Sequence, residues 1–204
     1  PENDSTLQVS ASINREEEER KGEEEDPGRL EDINKDVLEL SDGIGLFRSE
    51  FIYMESRSFP TEKEQYDVYR KAALQMNGRK VVIRTLDIGD DKRMLNIGLE
   101  KNTSLSLDIR GIRMSLMCED IFRTQIRAIL RASAHGRVAI MYPMVTSLEE
   151  VISAKKIVED VKKELIREGI SFDKNIEQGV MIETPAAVML SDDIAKEVDF
   201  FSIG

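Results

Sequence analysis

Val180-Met181-Ile182-Glu183 is a short apolar run that ends in a charged side chain, and two other segments share this form. Val81-Val82-Ile83 leads into Arg84, and Gly43-Ile44-Gly45-Leu46-Phe47 leads into Arg48. Runs of this length that are rich in Val and Ile are typical of buried parallel strands. A charge at the last residue is poorly explained by packing, but in a parallel α/β barrel the active site lies at this end of the strands. Two arginines and a glutamate at that position indicate an anionic ligand held partly through a metal ion.

Strand and helix patterns alternate along the chain from residue 42 onward. Strands are predicted at 43–47, 80–84, 137–142, 179–182 and 198–203, and the alternating segment at 7–13 predicts a first strand before them. Helices are predicted at about 61–76, 118–133, 147–168 and 185–194. Repeated βα units predict a parallel sheet, which is either doubly wound or closed as a (β/α)8 barrel. A closed barrel takes about 250 residues. The pattern therefore favours an α/β TIM barrel that is incomplete, with about six βα units.

Composition excludes several classes of protein. The chain has 204 residues and a net charge of −11, which argues against a nucleic-acid surface. It has no apolar stretch near the roughly 18 residues of a membrane span. The single cysteine, Cys118, favours a reducing compartment, and with no visible signal peptide we expect a cytoplasmic protein. The first residue is Pro1 rather than Met, so we expect a fragment or a processed chain.

The first 41 residues differ from the rest of the sequence. Residues 15–26 are almost entirely charged, which is typical of a solvated helix face or a disordered loop. We therefore predict two regions. Residues 1–41 contain the first strand and an acidic, partly disordered insert, and residues 42–204 form the partial barrel.

Five ordered motifs carry a resemblance to a known family. They are Gly43-Ile44-Gly45-Leu46-Phe47-Arg48-Ser49-Glu50-Phe51, Arg84-Thr85-Leu86-Asp87-Ile88-Gly89, Ile140-Met141-Tyr142-Pro143-Met144, Val180-Met181-Ile182-Glu183-Thr184-Pro185-Ala186-Ala187 and Asp199-Phe200-Phe201-Ser202-Ile203-Gly204. In order and spacing they resemble the C-terminal phosphoenolpyruvate-binding barrel of enzyme I of the bacterial sugar phosphotransferase system. The resemblance covers about residues 42–204.

The resemblance implies an activity and partners. The family transfers the phosphoryl group of phosphoenolpyruvate to a histidine on a separate N-terminal domain, and this histidine then phosphorylates a small carrier protein that serves sugar transport. It also implies Mg²⁺ as cofactor and a homodimer for the full-length protein.

Five residues acquire roles through the same resemblance. Arg48 and Arg84 would contact the phosphate and carboxylate of the ligand, and Lys92 would lie near the phosphate. Arg110 matches a further active-site arginine. Glu183 would be one of two acidic Mg²⁺ ligands.

The sequence also departs from the family pattern. Gly89-Asp90-Asp91-Lys92 carries an acid where the family has a second glycine, and residues 104–108 lack the family's Pro and Gly before Arg110. The acidic segment at 15–41 has no clear counterpart. The second metal ligand, the phosphorylated histidine and the proton-donating cysteine do not match any residue here. We therefore expect no catalytic residue within the chain, and expect the isolated chain to be inactive.

Other interpretations remain open for the chain and for individual residues. It could belong to a pyruvate phosphate dikinase or phosphoenolpyruvate synthase, which share the barrel, or could be a non-catalytic module for ligand sensing or dimerisation. The strand-end arginines could be salt-bridged rim residues, and Glu183 could be a buried partner of an arginine. Asp87 and Asp91 could orient the basic side chains or be plain loop acids. His135 is interpreted as a turn residue and Cys118 as a packing residue.

Overall fold

The structure is a computed structural model that describes residues 41–55, 59–88 and 110–204. Its strands are β1 (Gly43–Arg48), β2 (Lys80–Arg84), β3 (Val138–Tyr142), β4 (Glu177–Ile182) and β5 (Phe200–Ile203). Its helices are α1 (Glu50–Glu55), α2 (Glu62–Gln75), α3 (Gly111–Met117), α4 (Glu119–Ala132), α5 (Leu148–Arg167), α6 (Pro185–Met189) and α7 (Ser191–Ile194). The predicted strand at 7–13, the acidic insert and Lys92 lie outside the described residues, so the division at residue 42 stays a prediction.

The five strands form one parallel sheet whose spatial order follows the order in the chain, β1-β2-β3-β4-β5. A doubly wound sheet reverses its strand order at a switch point, whereas a barrel adds each strand beside the preceding one. The observed order is therefore that of a barrel segment. It confirms the predicted α/β class and the incomplete (β/α)8 barrel.

Local sequence signals explain where the longer helices begin. Thr61 and Ser147 each accept a hydrogen bond from the third helical residue, whose Glu side chain in turn accepts one from the capping backbone amide. This capping box satisfies two amides that the first turn would leave unpaired. The predicted helices at 61–76, 118–133 and 147–168 are confirmed, and the one at 185–194 is divided into α6 and α7. Helices α1 and α3 were not predicted.

The sheet buries a different apolar set on each face. Ile83, Ile140 and Val180 belong to the large core that packs against the helices. The opposite face carries a smaller cluster of Val82, Ala139, Met141 and Met181. Successive side chains of a strand point to opposite faces. Two of the predicted site residues, Arg84 and Glu183, each lie two positions after a member of the smaller cluster, and so project on that interior side.

The amino-terminal edge of the sheet is held by ion pairs. Glu177 forms an ion pair with Lys80 and accepts a hydrogen bond from Arg137 at 2.8 Å. The Lys80 ammonium also lies 4.1 Å from the centre of the Phe200 ring. These contacts join β2, β4 and β5 at the edge opposite the candidate site, where barrel residues commonly serve stability. Among the described helices, none is both long and apolar enough to cross a membrane.

Candidate functional site

The predicted arginines lie side by side at the carboxyl edge of the sheet. Arg48 and Arg84 are the last residues of β1 and β2, and their Cα atoms are partners in the parallel register. Glu183 follows β4, so it lies at the same edge beyond β3. The Arg84 guanidinium reaches to 4.0 Å from the Met181 sulfur, which shows that its side chain extends across the interior face toward β4. The structure thus brings these three predicted residues to one edge of the sheet.

Arg84 is buried between two carboxylates. Only 8% of its surface is exposed, and its Nε and Nη2 atoms donate to Glu50 Oε1 at 3.1 and 2.7 Å. Its Nη1 atom lies 3.4 Å from Asp87 Oδ2. A buried guanidinium needs such partners, because removing its charge from water is costly. The two acids fix the direction in which Arg84 faces the interior.

Arg110 joins the same set of charges through Asp87. It donates from Nε and Nη2 to the two Asp87 oxygens, both at 3.0 Å, which is the bidentate geometry that a guanidinium favours. The hydrogen bond and the negative charge of Asp87 raise the pKa of Arg110, and the charge of Glu183 adds to the effect. The structure thus shows Asp87 orienting two arginines. Asp91 lies outside the described residues.

Glu50 is the site residue that the sequence analysis missed. It is 6% exposed, and its second oxygen, Oε2, is buried without a hydrogen-bond partner in the described part of the chain. Burial raises the pKa of this carboxyl group, against the positive charge of Arg84. Its position two residues after Arg48 was a possible signal. An acid in the first turn of a helix is, however, equally well explained by the helix dipole.

Arg48 differs from Arg84 in having no fixed partner in the part of the chain that the structure describes. It is half-buried, and no hydrogen bond or ion pair joins it to another residue in the described ranges. With respect to those residues, its guanidinium is available to an external anion. This arrangement differs from the salt-bridged rim residue that was the other interpretation of Arg48.

Glu183 is held by the backbone of the loop after β3. Its Oε1 atom accepts a hydrogen bond from the Met144 amide at 2.7 Å, and no arginine pairs with it among the described residues. The carboxylate is half-buried, and Oε2 makes no hydrogen bond within the same ranges. A Mg²⁺ ion commonly uses one or two carboxylates together with water and substrate oxygens. A single carboxylate with one free oxygen fits that requirement, although no group of three metal-binding side chains occurs in the described part.

A buried amide connects the two loops that carry the charged residues. Gln125 of α4 accepts a hydrogen bond from the Leu86 backbone amide at 2.9 Å and donates to Ser49 Oγ at 2.9 Å. It also donates to the Tyr69 hydroxyl at 3.2 Å. Ser49 lies between Arg48 and Glu50, so Gln125 ties the loop after β1 to the loop after β2.

We expect Gln125→Met to lower the free energy of unfolding by about 1–3 kcal/mol, because it leaves the buried Leu86 amide without an acceptor. Urea unfolding of the purified chain measures the change. Gln75→Met, at the exposed end of α2, provides the matched control and should change stability by less than about 0.5 kcal/mol. Equal stabilities of the two variants would show that the Gln125 contacts contribute little.

His135 and Cys118 lie outside this group of charges. His135 ends a short 3-10 helix after α4, and its Nε2 atom lies 2.9 Å from the Tyr66 hydroxyl. Cys118 separates α3 from α4, and partial burial raises the pKa of its thiol. A raised pKa disfavours the reactive thiolate. These contacts agree with the structural roles that the sequence analysis assigned.

Comparison with known proteins gives the family. The family model described as "PEP-utilising enzyme, PEP-binding domain" matches residues 27–204. The match includes residues 27–41, which the motifs had placed outside the barrel and without a counterpart.

Curated proteins with similar sequences agree with this family. The phosphoenolpyruvate-protein phosphotransferases of Geobacillus stearothermophilus and Haemophilus influenzae are each 46% identical to the chain over 177 residues, and that of Lactococcus lactis subsp. cremoris is 48% identical over 180 residues. Each match covers 87% of this chain and 31% of the relative, so the chain spans less than a third of the length of these enzymes. The chain belongs to the phosphoenolpyruvate-binding domain family of the PEP-utilising enzymes, and the resemblance to enzyme I is confirmed.

Proposed function

We propose that this chain is the phosphoenolpyruvate-binding portion of a phosphoenolpyruvate-protein phosphotransferase. In the proposed reaction, the phosphoryl group of phosphoenolpyruvate moves to a histidine outside this chain and then to a phosphocarrier protein that serves sugar uptake. The proposal includes a homodimer for the full-length protein. It also includes a cytoplasmic location, because a lone cysteine suits a reducing compartment. The proposal is supported by the named relatives and by the arrangement of charges at the carboxyl edge.

The observation that carries the proposal is the pairing of neighbouring strand ends in which Arg84 is held by Glu50, whereas Arg48 has no partner among the described residues. Phosphoenolpyruvate carries about three negative charges, which are shared between a planar carboxylate and a tetrahedral phosphate. A guanidinium contacts two oxygens of either group at once. The Glu50 and Asp87 carboxylates hold Arg84 in one orientation, whereas no described residue restrains Arg48 from following the ligand. We assign these two side chains to the phosphate and the carboxylate of the ligand.

Arg110 and Lys92 extend the proposed anion site. The Arg110 side chain is 41% exposed although Asp87 holds it by two hydrogen bonds, so part of its guanidinium faces solvent. Lys92 is assigned on the family motif alone. Together with the strand-end arginines, these two positive charges would balance a trianionic ligand in a chain whose net charge is −11.

Glu183 is the proposed protein ligand for Mg²⁺. Its negative charge contributes to the raised pKa of Arg110, which supports an acid beside the basic residues of the proposed site. When bound, the metal would stabilise negative charge on the phosphoryl group during transfer. The chain itself supplies the remaining functions, which are binding the anion and orienting it against the fixed arginines.

Calorimetric titration of phosphoenolpyruvate in the presence of Mg²⁺ tests the proposal on the purified chain. We expect Arg48→Ala to weaken binding by about 1.5–3 kcal/mol, because a charge-assisted contact is lost. The melting temperature in the absence of ligand should change little, since Arg48 has no partner among the described residues.

Lys63→Ala is the control for a general loss of positive charge. Lys63 is an exposed residue of α2 that pairs with Asp67 one turn away, so its removal should leave the affinity within about twofold. Similar affinities for the Arg48 and Lys63 variants would contradict the assigned site. Failure of Mg²⁺ and phosphoenolpyruvate together to raise the melting temperature of the unmodified chain would contradict the binding function itself.

A further inference from the structure

Met144 has a backbone conformation that its side chain disfavours. Its φ angle is +56°, in the left-handed region where residues other than Gly, Asn and Asp are uncommon. Such a conformation costs free energy, persists only when the surroundings impose it, and is concentrated at functional sites. In this conformation the Met144 amide donates to Glu183 Oε1 at 2.7 Å. The strained residue therefore makes a direct contact with the proposed metal ligand.

The loop that contains Met144 is fixed on both sides. The Ile112 amide at the start of α3 donates to the Pro143 carbonyl at 3.2 Å. On the other side, the Thr184 hydroxyl donates to the Val145 carbonyl at 2.5 Å. Residues on either side of Met144 are thus tied to α3 and to the end of β4. These bonds leave the Met144 amide facing the Glu183 carboxylate.

Gly111 provides the space that this loop requires. Its φ angle is +58°, and a Cβ atom added to it would lie 2.7 Å from Met144 Cβ and 3.0 Å from the Pro143 carbonyl oxygen. Neither of these atoms is the far end of a flexible side chain, so the loop would have to shift. Gly111 also follows Arg110 directly. The close packing of Gly111 against Met144 consequently fixes Arg110 and Glu183 relative to each other.

We propose that Gly111 and Met144 are positioning residues for Glu183. The Met144 backbone amide occupies Oε1 of Glu183, which leaves Oε2 as the oxygen that coordinates a divalent cation. The inference rests on the proposed function, because it assigns the metal to Glu183. It adds that the carboxylate binds through one oxygen, and that a glycine on α3 controls this orientation. Outer contacts of this kind typically change metal affinity about 10–100-fold.

Mn²⁺ binding in the presence of phosphoenolpyruvate, measured by electron paramagnetic resonance on the full chain, tests the inference. We expect Gly111→Ala to weaken Mn²⁺ binding about tenfold or more. Met144→Gly keeps the amide and accepts the left-handed conformation, so it provides the background for a double variant with Gly111→Ala. In the double variant, removal of the Met144 side chain relieves the clash at Cβ, and most of the loss should be recovered.

Gly78→Ala is the matched control for backbone strain. Gly78 has a φ angle of +85°, and nothing lies within 4 Å of the position of its added Cβ atom. Its replacement imposes the same kind of conformational strain without a clash and away from the site. Mn²⁺ affinity should therefore be unchanged in this variant. A loss equal to that of Gly111→Ala would overturn the positioning role, as would failure of Met144→Gly to rescue the double variant.

Two further variants keep the test decisive. If Gly111→Ala does not fold, Met144→Val takes its place, because a β-branched residue strongly disfavours a positive φ angle. It should show the same loss, and unchanged Mn²⁺ affinity would overturn the inference. Glu183→Gln separates this inference from the proposed function. If that variant binds Mn²⁺ normally, the metal assignment fails; if it loses binding while Gly111→Ala does not, only the positioning role fails.

Discussion

Arg84→Ala is expected to lower the free energy of unfolding by about 3–5 kcal/mol, which is the usual cost of removing one partner of a buried ion pair. The variant leaves Glu50 and Asp87 buried at 6% and 7% exposure without the guanidinium between them. Chemical denaturation of the purified chain measures the loss. Arg48→Ala is the matched control, because Arg48 lies beside Arg84 in register but has no fixed partner in the described residues. The two variants should therefore differ in stability although each removes one strand-end arginine.

The loss in Arg84→Ala should also depend on pH. Burial raises the pKa of Glu50, whereas Arg84 lowers it, so removing Arg84 raises this pKa further. When the pKa of a carboxyl group is higher in the folded state than in the unfolded state, the folded state binds the proton more readily. The protein therefore gains stability as the pH falls from above the pKa of the folded state toward the pKa of the unfolded state. The deficit of the variant should shrink between neutral pH and pH 5. Glu50→Gln combined with Arg84→Ala should recover part of the loss at neutral pH. A deficit that is independent of pH, with no recovery in the double variant, would show that charge burial is not its cause.

The fold was predictable because its signals are local and repeated. Each βα unit contains an apolar run of strand length, followed by a helix with an apolar stripe, and two of the longer helices carry a capping box. These features depend on residues that are close together in the chain, so they can be recognised without knowing the tertiary contacts. Helices α1 and α3 were missed because they are short, at six and seven residues, and α3 begins without a side-chain cap that a sequence pattern would show.

The site was predictable only in part, for a different reason. Strand ends in a parallel sheet meet at one edge, so Arg48, Arg84 and Glu183 could be grouped from their positions alone. The contacts that orient these residues come from other elements. Glu50 belongs to a helix that the sequence did not reveal. Met144 contacts Glu183 through its backbone amide, and the identity of a residue as methionine does not indicate a positive φ angle. Side-chain identity thus located the charges, whereas backbone geometry determined their directions.

Glu183→Gln is expected to have the largest effect on metal binding. It keeps the shape of the side chain and its ability to accept the Met144 hydrogen bond, but it removes the negative charge from the proposed ligand. Even outer contacts of a metal site change affinity about 10–100-fold, so loss of a ligand charge should weaken Mn²⁺ binding by about 100-fold or more. Titration of Mn²⁺ at a fixed phosphoenolpyruvate concentration measures the change. Stability should fall little, because no arginine in the described ranges pairs with Glu183.

Glu177→Gln is the control from the opposite end of the same strand. Glu177 lies at the amino end of β4, where Arg137 and Lys80 lower its pKa by hydrogen bonding. Neutralising it removes one negative charge from β4, as Glu183→Gln removes one just after that strand, so the effect on net charge is identical. In a barrel the carboxyl end of the strands carries the chemistry and the amino end carries stability. Mn²⁺ affinity should therefore be retained in the Glu177 variant and lost in the Glu183 variant. Equal affinities would show that Glu183 is not the metal ligand.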